Sequence, residues 1–151
     1  MPTTSAAQVV QGFQFSLHAA RSDTGCAANA YGKAAEFFQT TPCTRLDRAL
    51  YGTTVDGRLI VVSVSVVHMP DEPSAEELQR LVDTSGTGNV DDLLRAGVRV
   101  PGGPDSLTDA GYASTRDAST VVIAESDFAE QAVHDDGLLN RISAAALQLR
   151  P

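Results

Sequence analysis

Apolar and polar residues alternate along this chain with two different periods, and the periods separate strands from helices. The clearest alternation lies in residues 58–68, where the even-numbered residues from 60 to 66 are all apolar and share one side of an extended strand. Asp56-Gly57 stands between this run and an apolar segment at residues 50–55. This dipeptide between two apolar runs is typical of a tight turn, so the sequence predicts a β-hairpin here.

Two further regions are expected to add strands. Residues 111–115 and 120–125 are rich in strand-forming side chains and flank a polar turn at residues 116–119, which predicts a second hairpin. Residues 5–21 fit a helix as well as a strand. We favour the strand, because apolar and polar side chains alternate between residues 13 and 18, and Gly12 disfavours a helix.

Helical spacing occurs in three other regions. Apolar residues recur every three or four positions between residues 27 and 38, and this helix should end before Pro42. Ser74-Ala75-Glu76-Glu77 is a capping box, which predicts a helix up to about Val82, and Asn89 is expected to cap a short helix at residues 90–96. A closing helix should begin after Ser126 or Asp127, with an interruption at Asp136-Gly137.

This order of elements predicts an α+β fold. We expect an antiparallel sheet of four to five strands with helices mainly on one face, because hairpins alternate with helical segments. We expect a single domain over residues 1–151, in which residues 1–8 are flexible. Leu46 and Leu50 suggest a short helical bend before the first hairpin.

The two cysteines bracket the first predicted helix. Cys26 stands at its start and Cys43 just beyond its end, and a helix of this length spans roughly 20 Å, much more than a disulfide bridges. Pairing therefore requires the chain to reverse after Phe38, for which residues 40–42 are suited, or the helix to be shorter than predicted. Three hypotheses remain: a disulfide in an exported domain, two unrelated buried thiols in a cytosolic protein, and a reactive Cys43 activated by a following helix start at Thr44.

Charge is distributed unevenly and argues against a nucleic-acid partner. The net charge is −8; residues 1–69 carry five basic and four acidic groups, whereas residues 70–151 carry six basic and fifteen acidic groups. A nucleic-acid binder needs a basic surface to neutralise phosphates, and none is indicated. The apolar content of 42% with 20% charged residues is that of an ordinary globular protein.

The sequence shows neither a membrane span nor a signal peptide. No run of about eighteen apolar residues is present, and the first residues lack a basic cluster followed by an apolar stretch. If the protein is secreted or extracytoplasmic, its signal or anchor lies outside the sequence given. A cytoplasmic location is the alternative.

Several short motifs carry a resemblance to known proteins. They are Cys26 with Phe38, Pro42-Cys43-Thr44-Arg45-Leu46, Arg48-Ala49-Leu50, Asp83-Thr84, Gly86-Thr87-Gly88-Asn89-Val90, Tyr112-Ala113-Ser114, Arg116-Asp117 and Val121-Val122. Over about residues 25–125 the chain resembles a group of uncharacterised exported or membrane-anchored actinobacterial proteins. The resemblance implies an extracytoplasmic domain and implies no activity.

Candidate site residues are few. His18, His68 and His134 are far apart and have no metal-ligand spacing, and no nucleophile motif is present, so no catalytic residue, cofactor or metal ligand is assigned. Arg45, Arg48 and His68 are candidates for contact with an anion or with the acidic surface of a protein partner. The alternative role of Arg45 and Arg48 is to pair with the acidic second half of this chain, and that of His68 is to be a structural or surface residue.

Three functional hypotheses follow from these observations. The first is a non-catalytic extracytoplasmic domain that interacts with a protein or with the cell envelope, with Cys26 and Cys43 oxidised. The second is a small thiol-dependent enzyme that uses Cys43 with His68 or His18. The third is a small-ligand-binding subunit, which an apolar pocket over the sheet would support. The sequence does not indicate the oligomeric state.

Overall fold

The fold is known from a computed structural model that describes residues 7–107 and 111–149. Within these residues the strands are β1 (Gln8–Val10), β2 (Phe13–Asp23), β3 (Arg45–Val55), β4 (Arg58–His68), β5 (Gly111–Asp117) and β6 (Thr120–Phe128). The helices are α1 (Gly32–Thr40), α2 (Glu72–Val82) and α3 (Asp136–Ala146), with a 3-10 turn at Ala27–Asn29. The α+β class predicted from the sequence is confirmed.

All strands form one antiparallel sheet in the order β1-β2-β3-β4-β6-β5. The sheet has six strands rather than the expected four to five, because β1 pairs with the start of β2 through a turn at Gln11-Gly12. Both turn residues have positive φ, as a two-residue hairpin turn requires. Gln8 therefore belongs to the sheet, whereas the expected flexibility of residues 1–6 lies outside the described residues.

Both predicted hairpins are present. Asp56 and Gly57 join β3 to β4 with φ values of 51° and 77°, which matches the turn that an Asp-Gly pair favours. The predicted helical bend at Leu46 and Leu50 is wrong, because β3 is continuous from Arg45 to Val55. A spacing of four positions is also an even spacing, so it places two leucines on the same face of a strand.

The helices cover both faces of the sheet. α3 packs on the face that carries the even-numbered residues of β4, such as Ile60 and Val62. α1 and α2 pack on the other face, against Leu46 and Val67. The segment of residues 89–107 covers the rest of that second face through Leu93, Leu94 and Val100. Two of the three helices thus share a face, as expected, while α3 lies opposite.

The predicted capping box at Ser74 is wrong. α2 begins at Glu72, because the Asp71 carboxylate caps it by accepting from the Ser74 N–H.

The structure also corrects the other three predicted helices. The first helix begins only at Gly32, since Ala27–Asn29 forms a 3-10 turn. Residues 90–96 form a bridge and turns rather than a helix. The closing helix begins at Asp136 because the Asp135 carboxylate caps it by accepting from the Leu138 N–H, and β6 continues to Phe128.

Cys26 and Cys43 form a disulfide. Their sulfur atoms are 2.09 Å apart and their α-carbons 5.9 Å apart. α1 is shorter than predicted, so residues 27–31 and 41–43 lie outside it, and these two segments bring the cysteines together. Both cysteines are buried with Phe38 between the sheet and α2. The disulfide therefore fastens the segment carrying α1 to the start of β3.

Removal of this disulfide should destabilise the fold. The double variant Cys26→Ser/Cys43→Ser is expected to lose about 3 kcal/mol of unfolding free energy, because a loop closed over 17 positions is no longer constrained in the unfolded chain. Urea unfolding of both proteins measures the difference. Addition of a reductant should lower the urea midpoint of wild type and leave that of the variant unchanged. Equal stability of wild type with and without reductant would contradict the prediction.

Gly111 should be the least replaceable glycine of the sheet. A Cβ at this position would collide with the backbone of Leu139, where α3 crosses the start of β5. Gly111→Ala is expected to destabilise the fold by about 2 kcal/mol or more through overpacking. The matched control is Gly25→Ala, because no atom lies within 4 Å of a Cβ built there and its φ is not positive. Thermal unfolding of both variants checks the contrast.

Candidate functional site

α3 leaves one end of its sheet face uncovered, and a cavity of about 560 Å³ lies there. It opens over the ends of β3, β4, β5 and β6 that lie farthest from the Asp56-Gly57 turn. We call it the Asp47 cavity. Its lining residues are Ala20, Arg21, Ser22, Arg45, Asp47, Arg48, Val66, His68, Thr115, Asp117, Thr120 and Val122. This volume lies within the range of small-molecule sites, which is roughly 300–1,000 Å³.

Asp47 organises the polar wall of the cavity. Its Oδ1 atom accepts from the Ser22 hydroxyl at 2.6 Å and from Nε of Arg45 at 2.8 Å. Its Oδ2 atom lies 3.0 Å from Nε2 of His68. The register of the sheet makes these contacts, because Ser22 pairs with Asp47 across β2 and β3, and Arg45 pairs with His68 across β3 and β4.

Asp47 is held in its ionised form. Partial burial opposes ionisation, but the hydrogen bonds from Ser22, Arg45 and His68 outweigh it and lower the pKa of Asp47 below its usual value. An ionised carboxylate can only accept, so Nε2 of His68 is the donor in this contact. The hydroxyl of Ser22 donates to Asp47 rather than to His68. The network therefore fixes the orientation of these side chains and does not activate Ser22 as a nucleophile.

The floor of the cavity is apolar and its rim is cationic on one side. Val66, Val122 and Ala20 form the apolar part. Arg45 is largely exposed at the rim and uses only Nε for its contact with Asp47 among the described residues, which leaves its terminal N–H groups for another acceptor. Asp117 lies on β5, three strand spacings from β3, which carries Arg45. This separation is about 14 Å.

Arg48 does not join Arg45 in an anion clamp. Because β3 is extended, residues three positions apart point to opposite faces, and the Arg48 guanidinium is buried on the α1 and α2 side. It donates to the Asp23 carboxylate at 2.9 Å, to the Asn29 side chain at 3.2 Å and to the Asp91 carbonyl at 2.9 Å. Its contacts are thus internal, but its ion pair is with Asp23 in the first half of the chain and not with a carboxylate of the acidic second half, as the alternative prediction had it.

A second cavity of about 660 Å³ lies on the opposite face of the sheet. We call it the Glu125 cavity. Its lining residues are Tyr31, Gly32, Val82, Asp83, Thr84, Ser85, Gly86, Gly88, Asn89, Leu107, Tyr112 and Glu125. The Tyr112 hydroxyl donates to Oδ1 of Asp83 at 2.8 Å, and Ser114 donates to the same oxygen at 2.7 Å. Arg95 stacks on Tyr31, with its guanidinium carbon 3.8 Å from the ring centroid.

The titrating groups of the Glu125 cavity are strongly perturbed. Burial raises the pKa of Glu125 to about 7, the nearby Asp92 carboxylate adds to the rise, and Arg95 opposes it. Burial, followed by the hydrogen bond to Asp83, raises the pKa of Tyr112. Burial, followed by the charge of Glu125, also raises the pKa of Tyr31. Perturbed carboxyl groups of this kind concentrate at functional sites.

The candidate residues named from the sequence do not form one site. Arg45 and His68 meet at Asp47, and Arg48 points away from them. His68 and Cys43 lie on different sides of the sheet, and the disulfide leaves Cys43 without a thiol. In residues 7–107 and 111–149, no group of three or more His, Cys, Asp or Glu is arranged to hold a metal ion.

Asp47 and Glu125 are not among the site residues predicted from the sequence. Asp47 had one usable signal, because it stands two positions from Arg45 and alternate residues of a strand share a face. Glu125 also had a sequence signal, because it follows Val121 and Ile123 at a spacing of two residues. It therefore extends the row of β6 side chains that faces inward. Ser22 had none, since its approach to Asp47 depends on strand register alone.

The comparisons with known proteins add no relatives: no family model matches the chain, and neither the curated proteins nor the solved structures include a significant match. The resemblance to exported actinobacterial proteins therefore stays a prediction. No helix within the described parts of the chain is both long and apolar enough to cross a membrane.

Glu125 should make stability depend on pH. Its folded-state pKa of about 7 lies above the ordinary 4.5, so the folded chain binds more protons than the unfolded chain between these values. Its contribution to stability is therefore lost as pH rises through this window. Glu125→Gln removes this titration. From about pH 5 to about pH 8, the unfolding free energy of the variant minus that of wild type should therefore increase by roughly 2–3 kcal/mol.

Urea unfolding of wild type and Glu125→Gln at both pH values measures this difference. The matched control is Glu130→Gln, an exposed carboxyl in the loop that follows β6. Its difference from wild type should stay constant over the same window. A Glu125→Gln difference that does not grow with pH would contradict the assignment.

Proposed function

We propose that this chain is a non-catalytic binding domain for a small amphipathic carboxylate, held in the Asp47 cavity and working in an oxidising, extracytoplasmic compartment. The observation that carries the proposal is the cavity itself: an apolar floor of valines beside an arginine whose terminal N–H groups have no acceptor among the described residues. This combination suits a ligand with a hydrocarbon body and one anionic end.

The polar wall supports binding rather than chemistry. Asp47 is saturated by Ser22, Arg45 and His68, so it orients these side chains before a ligand arrives. Such preorganisation lowers the entropic cost of binding. Arg45 is held at Nε by Asp47 and its side chain is largely exposed, so its two terminal nitrogens can form two parallel hydrogen bonds with a carboxylate.

The disulfide supports the compartment. Two cysteines joined and buried without any other cysteine in the chain are typical of proteins that fold in an oxidising environment. The same bond disfavours the thiol-dependent alternative, because an oxidised Cys43 has no thiolate to act as a nucleophile. Of the three functional hypotheses, a ligand-binding domain is the one for which the structure provides a shaped site.

Octanoate is a suitable probe for this proposal, with 1-octanol as the uncharged partner of the same length. Octanoate should bind with residue-specific amide shifts at Val66, His68 and Val122 in a two-dimensional NMR titration of the full chain. Arg45→Ala should weaken octanoate binding at least about fivefold and leave octanol binding unchanged, because only the carboxylate needs the guanidinium.

The matched control is Arg141→Ala, an exposed arginine on α3 that does not line the cavity. It should bind both probes as wild type does. Equal octanoate affinity in wild type and Arg45→Ala, or shifts that map away from these strands, would overturn the proposal. Thermal unfolding of each variant confirms that the comparison is made between folded proteins.

A further inference from the structure

Glu125 is a largely buried carboxyl for which the described residues provide no hydrogen-bond donor. Its interactions there are electrostatic, with Asp92 and Arg95, and with the tyrosines Tyr31 and Tyr112. Glu125 is not fully buried and lines the Glu125 cavity, so a ligand in this cavity can reach its carboxyl group. A proton neutralises the charge but supplies only one donor. A ligand with several donors would satisfy both carboxyl oxygens.

Tyrosine side chains border this carboxyl on two sides. Tyr31 lies at the start of α1, and Tyr112 pairs with Glu125 across β5 and β6. The Arg95 guanidinium already stacks over the Tyr31 ring at 3.8 Å, so this ring face accepts a cation in the present structure. An aromatic wall beside a carboxyl is the combination that recognises organic cations.

The charges around the cavity favour a cation as well. Asp83, which follows α2, and Glu125 of β6 line the cavity. Asp92 and Arg95, from the segment of residues 89–107, do not line it but act on Glu125 through their charges. Arg95 is shared with Asp91, whose carboxylate lies 3.7 Å from its Nε. The carboxyl groups therefore outnumber the cation, and an added positive charge would reduce their mutual repulsion.

The wall formed by residues 86–88 is fixed in place. Gly88 has a φ of 85°, and a Cβ at this position would collide with the Tyr31 carbonyl. The Tyr31 N–H donates to the Asn89 carbonyl at 3.0 Å, and the Ala34 N–H donates to the Thr87 carbonyl at 3.2 Å. The cavity is thus built between α1 and this loop before any ligand enters.

We propose that the Glu125 cavity binds a small organic cation through a primary ammonium group, which donates to the Glu125 carboxylate while its hydrocarbon part packs on Tyr31 and Tyr112. Asp83 completes the polar wall, since its Oδ1 atom accepts from Tyr112 and Ser114. This site is independent of the Asp47 cavity, which lies on the other face of the sheet.

n-Butylammonium is the probe that tests this site, and n-butanol is its uncharged control. An NMR titration of the full chain should show shifts at Gly86, Gly88 and Tyr112 with butylammonium at millimolar concentration and none with butanol. Glu125→Gln should weaken butylammonium binding at least about tenfold, because the amide carries no charge. Glu130→Gln, the exposed control, should bind as wild type does.

The pH dependence gives a second readout. Wild-type affinity should rise as pH passes through about 7, because Glu125 then ionises, whereas the affinity of Glu125→Gln should stay flat. Glu125→Gln mimics the protonated side chain in size and charge, so it should remain folded. Octanoate binding at the other cavity should be unaffected by this variant, which separates failure of this site from failure of the proposed function.

Three outcomes would overturn the proposal. The first is the absence of residue-specific shifts with butylammonium at millimolar concentration. The second is equal affinity in Glu125→Gln and wild type, which removes the carboxylate from recognition. The third is equal affinity for tetramethylammonium, a cation without N–H groups, because the proposed hydrogen bonds to Glu125 would then be unnecessary.

Discussion

The burial of β4 on both of its faces is the constraint on which the rest of the structure depends. Residues 60–67 are buried without interruption, so each face of this strand must be covered by another element. α3 provides one cover, and α1, α2 and residues 89–107 provide the other. α3 is about 16 Å long, whereas an eleven-residue strand extends over roughly 36 Å. The Asp47 cavity is the part of the face that this helix cannot reach.

Two carboxyl groups on opposite faces of the sheet show how surroundings decide the behaviour of one chemical group. Asp47 receives three hydrogen bonds, which keep it ionised. Glu125 receives none from the described residues and is largely buried, which favours its protonated form near neutral pH. Desolvation acts on both, and hydrogen bonding to the charged form separates them. The first is suited to a permanent structural charge, and the second to a charge that depends on conditions.

The hairpins and the fold class were predictable from the sequence because turn chemistry and alternation are local signals. Asp56-Gly57 specified its turn, and the valines of β4 specified their strand. The start of β3 was not predictable from Leu46 and Leu50, since their spacing fits a helix and a strand equally. Asn89 resembled a helix cap, but its side chain accepts from the adjacent Val90 N–H, and residues 90–96 pack as turns against β3 and β4.

The candidate sites were less accessible to sequence reasoning than the fold. Arg45 and His68 could be named, because charged and imidazole side chains near strand ends are candidates for contact. Their meeting at Asp47 depends on the register between β2, β3 and β4, which links residues more than twenty positions apart. Arg48 and Arg45 were both named as contact candidates, but in an extended strand they lie on opposite faces, whereas a helical bend was predicted at Leu46 and Leu50. One wrong local assignment thus changed the predicted face of a functional side chain.

The position of the disulfide has a mechanical consequence. A pulling force applied to the two ends of the chain passes from Cys26 to Cys43 through the S–S bond, so the residues between them carry no tension. α1 lies within this shielded loop and forms part of the wall of the Glu125 cavity through Gly32. Stretching the oxidised chain can peel β1 and β2 from the sheet without extending the backbone of α1. Reduction removes this shield and lets tension reach the helix.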